Sequence, residues 1–480
     1  MVCGPTAQSP HYTNSRVDYL HLTKRFGTVA SSQLPLHYLL ALKTPWSPLQ
    51  AISRFSHETL NASHQLLGRI VTLVLYLHAA LYVNFYVQAN LLGDKLKEIY
   101  VLCGIVGIIA FTAVGTTALS PVRKWSYRVF YITHVSLATA ILPLLYFHVS
   151  HIRIYLYETA AIYTFNAALR ALASKSLTGT VRLLPDSSLL EITIPLSSSA
   201  ISPSYKQTWQ PGQHAYISLQ GHPLLRTFRC NPFTVASLPS TDDHLKFVAR
   251  VLDGNTAKLA SSIASGAAKA SQRLTIEGPY GVATHGDELL QYDRVLFVAG
   301  GVGATFVVPL YRQLLNDLSP SKGSYRRQKV SFVWIARTKA EVEWAVPKDE
   351  IEKASFTERL RLCLTQEPDL GADVDGFAIG DDEGKPGDME EGIELEERKQ
   401  LLSNDGSSSV RSGAKSDLPI YASRPDLARL LEQTMGQGGS EKVAIVVCGP
   451  RALSQALRNE IGPWVKRGRK VWFWDESFSY

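Results

Sequence analysis

Four histidines lie in two long apolar stretches, His64 and His78 in the first and His134 and His148 in the second. Within each pair the spacing is 14 residues. At about 100° per residue, 14 residues come within about 40° of a whole number of helical turns, so the two histidines of a pair share one helix face. Along the helix axis they are roughly 21 Å apart. Imidazoles inside hydrocarbon are costly and usually functional. The pattern therefore predicts two stacked haem b groups, each held by one histidine from each helix.

The stretches that carry these histidines belong to a set of apolar runs long enough to cross a bilayer. Residues 66–92, 99–119, 127–149 and 152–172 are each predicted to span it, because a membrane helix needs about 20 apolar residues. A shorter run, 27–42, could form a tilted fifth span. The sequence therefore predicts a multi-pass membrane protein with the lipid bilayer as a partner.

Basic residues determine the predicted orientation, because cytoplasmic segments carry an excess of Lys and Arg. The residues placed on that side are Lys43, Arg54, Arg123, Lys124, Arg128, Arg170 and Lys175. The two histidine-bearing helices are separated by one span and therefore run parallel. His64 and His134 are then expected together nearer the cytoplasm, and His78 and His148 nearer the outside. Because two imidazoles leave no axial position open, each haem would transfer electrons rather than bind oxygen.

Two neighbouring residues leave alternatives open. His151 follows His148 by three residues and is a second candidate for the outer ligand, although the spacing favours His148. Arg69 could pair with a haem propionate or snorkel to lipid phosphates. Three further histidines lie outside the pairing and are predicted to be ordinary surface or interface residues: His21, His37 and His57.

The 480 residues suffice for two or three domains. The formal net charge is +7, but residues 367–397 hold thirteen acidic residues and one basic residue, which leaves 48 basic and 29 acidic residues, about +19, elsewhere. This balance suits an anionic membrane surface and a phosphate-bearing cofactor, and no pattern indicates nucleic acid. A segment at about 366–418 is predicted to be a disordered acidic insert. Five scattered cysteines indicate neither a disulfide framework nor a zinc site. Residues 1–20 are polar, so no signal peptide is predicted there.

Short alternating strands follow at 181–184, 189–194, 215–219 and 245–252 and predict a small antiparallel barrel. A Pro-Phe-Thr segment within it can place a hydroxyl and backbone amides along a flat ring, with an arginine nearby for a phosphate. A Gly-Asn-Thr turn either binds an anion or is an ordinary helix start. The candidate flavin-binding residues are Arg229, Asn231, Pro232, Phe233, Thr234, Gly254, Thr256, Lys258, Gly278 and Gly281.

The last part of the chain alternates strands and helices. An apolar strand at 294–299, a Gly-rich turn at 300–305 and a helix at 306–318 form the arrangement that cradles a dinucleotide pyrophosphate. The candidate nucleotide-binding residues are Gly300, Gly301, Gly303, Arg337, Cys448, Gly449 and Pro450.

Two of these residues end later strands. Arg337 follows the strand 330–336, where it could bind a 2′-phosphate and favour NADPH, or remain solvated. Cys448 follows the strand 443–447, where its thiol could lie near the nicotinamide or be a small buried residue.

Together these motifs resemble the fungal ferric-chelate reductases, relatives of the NADPH oxidases. The residues that carry the resemblance are the pairs His64/His78 and His134/His148, Asn231-Pro-Phe-Thr234, Gly278-Pro-Tyr-Gly281, Gly300-Gly-Val-Gly303, Cys448-Gly-Pro450 and Glu476-Ser-Phe478. The chain differs from the family in having Asn231 where His is usual, Tyr480 where Trp is common, and a start close to the haem core. The early start is expected to reflect a truncated gene model or a short paralogue.

The resemblance implies an electron path. NADPH gives a hydride to FAD, FAD passes single electrons to the inner haem, and the outer haem reduces Fe(III) or Cu(II) chelates outside. It also places Thr234, Cys448 and Phe478 at the reacting centre, with Phe478 over the flavin ring. Arg229 and Lys258 are expected near the flavin phosphates. A plasma-membrane location and a ferroxidase/permease uptake system as partner follow from the same resemblance.

The predicted fold is multi-domain: an α-helical transmembrane bundle with a bis-haem core, a ferredoxin-reductase-like antiparallel β-barrel FAD domain, and an α/β Rossmann-like NADPH domain. Their predicted limits are 1–175, 176–290 and 291–480. Two alternatives remain to the metalloreductase. A superoxide-producing NADPH oxidase shares the redox motifs, and a degenerate, non-catalytic membrane protein would fit Asn231 and the short N-terminus.

Overall fold

A computed structural model describes residues 19–42, 47–53, 57–196, 209–218, 230–238, 240–252, 255–265, 271–281, 288–319, 328–366, 420–421, 423–436 and 438–476. The chain divides into two compact units, residues 1–174 and 175–479. The acidic insert predicted at about 366–418 lies, apart from its first residue, outside the described ranges.

Helices make up the described part of the first unit. They are α1 (Tyr19–Ser32), α2 (Leu34–Leu40), α3 (Pro48–Ser53), α4 (His57–Gln88), α5 (Leu92–Lys95), α6 (Ile99–Thr117), α7 (Ser120–Trp125), α8 (Tyr127–His148) and α9 (Arg153–Ala173). Three segments are long and apolar enough to cross a membrane: Leu60–Gln88, Ile99–Thr117 and Tyr127–His148.

The other two predicted spans differ from this description. Residues 152–172 fall in α9, which carries Arg153, Glu158 and Arg170 and is not among the three apolar helices. The run 27–42 is divided between α1 and α2, with Gln33 between them and Pro35 in the first turn of α2.

Packing in the first unit joins α1 to α4 and α6 to α8. A small buried cluster holds α2, α6, α8 and α9 together and comprises Leu34, Ala110, Ile141, Leu145, Ile152 and Leu156. Large apolar side chains such as Leu66 and Ile109, both 61% exposed, face outward. Helices that are apolar on their outer faces as well as their inner ones suit a lipid environment.

The second unit begins with an antiparallel sheet. Its strands are β1 (Ser174–Leu183), β2 (Leu189–Pro195), β3 (His214–Ser218), β4 (Asn231–Thr234), β5 (His244–Arg250) and β6 (Ser271–Tyr280), in the order β4-β3-β6-β1-β2-β5. An isolated bridge from Val235 to Phe247 joins the two edges of the sheet. Closing the sheet leaves an apolar interior, in which Phe247 and Leu274 are fully buried. Helix α10 (Asn255–Ala264) follows β5.

A parallel sheet completes the described chain. Its strands are β7 (Arg294–Gly300), β8 (Lys329–Ala336), β9 (Leu360–Leu364), β10 (Ile420–Tyr421), β11 (Val443–Cys448) and β12 (Val471–Glu476), and its helices are α11 (Ala304–Asp317), α12 (Glu350–Glu358), α13 (Leu427–Met435) and α14 (Arg451–Lys466). The order is β10-β9-β8-β7-β11-β12. All residues of β11 are buried, as expected for a parallel strand covered on both faces.

The strand order reverses between β7 and β11. From β7 the chain proceeds outward through β8 to β10, then returns to place β11 on the other side of β7. In open α/β sheets ligands bind outside the carboxyl ends of the strands at such a switch point. The turns after β7 and β11 are therefore the expected nucleotide-binding positions.

Candidate functional site

The four histidines of the first unit form two pairs between α4 and α8. The ring centroids of His64 and His134 are 6.2 Å apart, and those of His78 and His148 are 6.4 Å apart. Two imidazoles that bind opposite sides of one metal, each about 2 Å from it, have ring centres roughly 6 Å apart. Each pair therefore has the separation that a shared metal ion requires.

Backbone carbonyls of the neighbouring helices hold the Nδ1 atoms of three of these rings. The Nδ1 of His78 lies 2.8 Å from the Thr23 oxygen, that of His148 lies 2.6 Å from the Tyr100 oxygen, and that of His64 lies 3.0 Å from the His37 oxygen. A histidine that binds a metal through one ring nitrogen commonly donates the other N–H to such a carbonyl. These contacts leave Nε2 for the metal.

His134 is the exception. Its Nδ1 is buried and has no hydrogen-bond partner of ordinary geometry among the described residues. The Val114 backbone of α6 interacts with this ring. Helices α6 and α8 are antiparallel, so residues that face each other have numbers with a constant sum. Val114 faces His134 in the same register in which Tyr100 faces His148, because both pairs sum to 248. Val114 thus has the position opposite His134 that Tyr100 has opposite His148.

Glycines make room for the outer pair. A Cβ added at Gly27 would lie 2.7 Å from Cε1 of His78, and one added at Gly104 would lie 2.6 Å from Cε1 of His148. Contacts this short are not tolerated by a packed side chain. The two rings therefore occupy notches in α1 and α6 that only glycine leaves open, one turn from their carbonyl partners.

His37 is a part of this region that sequence reasoning missed. It was predicted to be an ordinary surface or interface residue, but its ring stacks on that of His64 with centroids 4.1 Å apart. Its separation from His64 in sequence gave no helical signal, because the two residues lie on different helices. A third histidine close to the 14-residue pairs was the available hint.

The alternative residues lie elsewhere. His151 is exposed, while His148 is the residue placed beside His78. Arg69 is exposed on α4. No cluster of three or more His, Cys, Asp or Glu able to hold a metal occurs in the described part of the chain. The paired donors with axial spacing and carbonyl-held rings fit two bis-imidazole haem groups, which would supply one-electron carriers at two levels.

The predicted flavin segment forms an edge strand of the barrel. Asn231–Thr234 is β4 and pairs only with β3 inside the sheet. Asn231, Pro232 and Phe233 are partly exposed, whereas Thr234 is 7% exposed at the strand end. The three partly exposed side chains leave this strand accessible to a flat ring. Neighbouring aromatic rings, those of His214, Tyr216 and Tyr280, pack together beside it.

The other flavin candidates are placed unevenly. Gly278 lies in β6, and Gly281 follows it with φ +99°, a backbone conformation that favours glycine. The Thr256 hydroxyl donates to the Leu252 oxygen and accepts from the Leu252 amide, as in an ordinary helix start. Three candidates lie outside the described residues: Arg229, Gly254 and Phe478. The side chain of Lys258 is not described either.

The two turns at the switch point are packed against each other. A Cβ on Gly300 would lie 2.7 Å from Cδ of Pro450, and one on Gly449 would lie 3.0 Å from the Gly300 Cα. A Cβ on Gly303 would overlap the Cys448 carbonyl oxygen. This backbone-to-backbone contact requires glycine and brings main-chain amides to the carboxyl edge of the sheet, which suits a pyrophosphate.

Gly301 has φ +54° and lies at the start of the turn before α11. The Trp334 indole N–H donates to its carbonyl oxygen at 3.1 Å. Arg250, at the end of barrel strand β5, has its Nη2 3.4 Å from where a Gly301 Cβ would be. The barrel therefore places the Arg250 guanidinium, which is paired with Glu341, beside the Gly-rich turn.

Arg337 and Cys448 have different surroundings. The Arg337 backbone amide donates to Glu341, which also pairs with Arg250, so that the turn after β8 is fixed.

The Cys448 side chain is fully buried and belongs to the apolar core. Burial, together with the acidic Glu476 and Asp475, raises the pKa of its thiol. The structure thus gives Cys448 the character of a small buried residue, the second of the two alternatives.

The barrel and the parallel sheet are joined by ion pairs within the second unit. Arg312 of α11 donates to both oxygens of Asp242 at 2.8 and 2.9 Å and also to Glu352. Lys246 of β5 donates to the Trp344 carbonyl oxygen at 2.9 Å. Burial would raise the pKa of Asp242, but the hydrogen bonds and charge of Arg312 hold it below its usual value. These contacts fix the β5 side of the barrel against the parallel-sheet region.

An apolar helical unit, a flavin-type barrel and a dinucleotide-type sheet define the class of membrane flavoprotein reductases. Three family models match in the same order: ferric reductase like transmembrane component at residues 26–145, FAD-binding domain at 176–284, and ferric reductase NAD binding domain at 292–461. These matches support membership of the fungal ferric reductase family, and the predicted order of an apolar helical region, a ferredoxin-reductase-like FAD barrel and a nucleotide-binding domain is confirmed.

Curated relatives extend over most of the chain. Probable metalloreductase AIM14 of Yarrowia lipolytica is 29% identical and covers 82% of this chain and 70% of the relative. Probable cell surface ferric reductase kap2 of Aspergillus oryzae is 24% identical over 74% and 47%. Ferric/cupric reductase transmembrane component 2 of Saccharomyces cerevisiae is 22% identical over 95% and 61%. The chain thus spans about half the length of the Aspergillus oryzae relative and less than two thirds of the Saccharomyces cerevisiae relative.

Proposed function

We propose that this protein is an NADPH-dependent transmembrane metalloreductase, which passes electrons from cytosolic NADPH through FAD and two bis-histidine haems to Fe(III) or Cu(II) chelates outside. The observation that carries the proposal is the pairing of His64 with His134 and His78 with His148 in a chain that also contains a flavin barrel and a nucleotide sheet. Electron carriers at two depths have a purpose only where electrons cross the membrane.

The chain's own residues have distinct tasks in this function. His64 and His134 hold the inner iron and His78 and His148 the outer one, with their rings oriented by backbone carbonyls. The β4 strand from Asn231 to Thr234 would hold the flavin, and Thr234 would lie near its reactive edge. The flavin is needed because hydride carries two electrons and haem iron accepts one.

The nucleotide would be held by the two turns at the switch point, with the backbone amides of Gly301 and Gly449 as the proposed donors to the pyrophosphate. Arg337 is the proposed partner of a 2′-phosphate, which favours NADPH over NADH. Because the Cys448 thiol is fully buried in the apolar core, we assign it a packing role at the end of β11 rather than a chemical one. We propose domain limits of 1–175, 176–290 and 291–480.

The proposed location is the plasma membrane. The basic segments near Arg123, Lys124 and Arg128 suit the cytoplasmic side, and one relative is named as a cell surface ferric reductase. Reduction of metal chelates there would supply a ferroxidase/permease uptake system.

The test compares cells that express wild type, His134→Ala, His148→Ala and His151→Ala. Ferric chelate reduction by intact cells is expected to fall at least tenfold in His134→Ala and to remain in His151→Ala, because His151 is exposed. In the purified His134→Ala protein, NADPH-driven reduction of a soluble dye should persist, since the flavin and nucleotide sites are untouched.

Three outcomes would change the proposal. Equal ferric reduction by His134→Ala and wild type would refute the electron path. Loss of ferric chelate reduction in His151→Ala but not in His148→Ala would identify His151, rather than His148, as the outer haem ligand. NADPH oxidation that yields superoxide without chelate reduction would identify an oxidase.

A further inference from the structure

Arg123 lies in α7, the short helix that connects α6 to α8, and it turns inward. Its Nε is buried without a hydrogen-bond partner among the described residues. Its basic neighbours, Lys124 and Arg128, are exposed. A buried guanidinium N–H without an acceptor costs free energy comparable to a lost hydrogen bond. Such a group indicates an anionic ligand that the polypeptide does not itself provide.

Two ring contacts lead from Arg123 to the inner histidine pair. The guanidinium carbon of Arg123 lies 6.0 Å from the ring centroid of Phe130, at the limit of a cation–π contact. The Phe130 ring centroid lies 5.3 Å from that of His134. Phe130 precedes His134 by one turn of α8, on the side of the basic connection. Phe130 is thus a neighbour of both the Arg123 guanidinium and the ring of the proposed iron ligand.

We propose that Arg123 binds a propionate carboxylate of the inner haem, a role that rests on the proposed function. Haem b carries two propionates, and an unpaired carboxylate at membrane depth is costly. A guanidinium offers the planar donor pair that matches a carboxylate. Arg69, the alternative considered from sequence, is exposed, so Arg123 is the better placed of the two. A lipid phosphate presents similar chemistry, and the experiment separates the two sources.

The experiment measures the reduction potentials of the purified full-length protein by spectroelectrochemical titration. Reduction adds an electron, so a nearby positive charge favours the reduced form, and its removal lowers the potential. Arg123→Gln is expected to change the one-electron equilibrium of one haem about tenfold, ~59 mV, and to leave the other unchanged. Arg128→Gln, which removes an exposed charge from the neighbouring turn, is the matched control and should shift neither.

Measurement in dodecyl maltoside without phospholipid and again in phospholipid nanodiscs identifies the anion. A shift of equal size in both supports the propionate, whereas a shift seen only in nanodiscs assigns Arg123 to a lipid phosphate and overturns the proposal. Unchanged potentials in Arg123→Gln with two haems bound also overturn it.

If Arg123→Gln loses one haem, Arg123→Lys decides the cause. Recovery of the haem by Lys supports a charge contact, and equal loss in both variants overturns it in favour of a packing role. Absence of haem from the wild-type protein would instead refute the proposed function.

Discussion

The imidazole of His37 lies flat against that of His64, with ring centroids 4.1 Å apart and 11° between the planes. The contact is reciprocal, because the His64 Nδ1 lies 3.0 Å from the His37 oxygen and the His37 Nε2 lies 3.1 Å from the His64 oxygen. Gly68, one turn after His64, leaves room for the His37 ring, because a Cβ at Gly68 would lie 3.0 Å from the His37 Nε2. His37 therefore fixes the plane of a proposed iron ligand.

Substitution of His37 by Ala should alter the inner haem without removing its ligands. The freed His64 ring is expected to rotate, which changes the low-spin electron paramagnetic resonance signal of one haem, and ferric reduction should fall about tenfold, as for other residues that orient a metal ligand. His37→Phe keeps the stacking and should give a smaller change. An unaltered spectrum in His37→Ala would show that the stack does not orient the ligand.

Gly104 and Gly115 lie on the same helix but differ in what a methyl group would meet. A Cβ at Gly104 would lie 2.6 Å from His148, and one at Gly115 meets nothing within 4 Å. Gly104→Ala is expected to displace His148 and lower the haem content from two per chain to about one. Pyridine haemochrome assay measures this, with Gly115→Ala as the control. Full haem content in Gly104→Ala would argue against His148 as ligand in this position.

Gly303→Ala should disrupt the contact between the two nucleotide turns. The added Cβ would overlap the Cys448 carbonyl, and overpacking of this kind costs about 1–3 kcal/mol. We expect a large rise in the KM for NADPH in dye reduction, together with a lower Tm.

Gly462→Ala, in α14, meets nothing within 4 Å and serves as the control for that substitution. A normal KM for NADPH in Gly303→Ala would indicate that the nucleotide does not use the turn at the switch point.

Asp242→Asn tests the ion pair between barrel and sheet. Removing one charge of a largely buried pair should destabilise the second unit by about 3 kcal/mol at pH 7. Because Arg312 holds the pKa of Asp242 below its usual value, the pair contributes stability above the unfolded pKa, about 4, and loses it as pH falls through the folded value.

The Tm difference between wild type and Asp242→Asn, followed by flavin fluorescence, should therefore be largest near neutral pH and shrink below about pH 4. A difference that stays constant through this range would mean that the Asp242 charge is not responsible.

Several elements followed directly from local pattern. The strand at 294–299 and the helix at 306–318 were predicted within two residues of β7 and α11, because a buried parallel strand, a Gly-rich turn and an amphipathic helix each have a short-range signature. The predicted strand 181–184 forms part of a longer β1 that begins at Ser174. The first residues of β1 are mostly polar and exposed, so they carry no strong hydrophobic pattern. Pairing with neighbouring strands extends β1 beyond the segment that this pattern predicts.

The sequence by itself determined the 14-residue histidine spacing, the apolar helices and the order of the cofactor motifs, because helical periodicity and strand–turn–helix signatures are local. Only the tertiary structure decided that His37 stacks on His64, that Arg123 turns inward, that Cys448 is buried and that Asp242 pairs with Arg312. Each of these depends on which helices and strands become neighbours, and that choice is made by packing between residues distant in the chain.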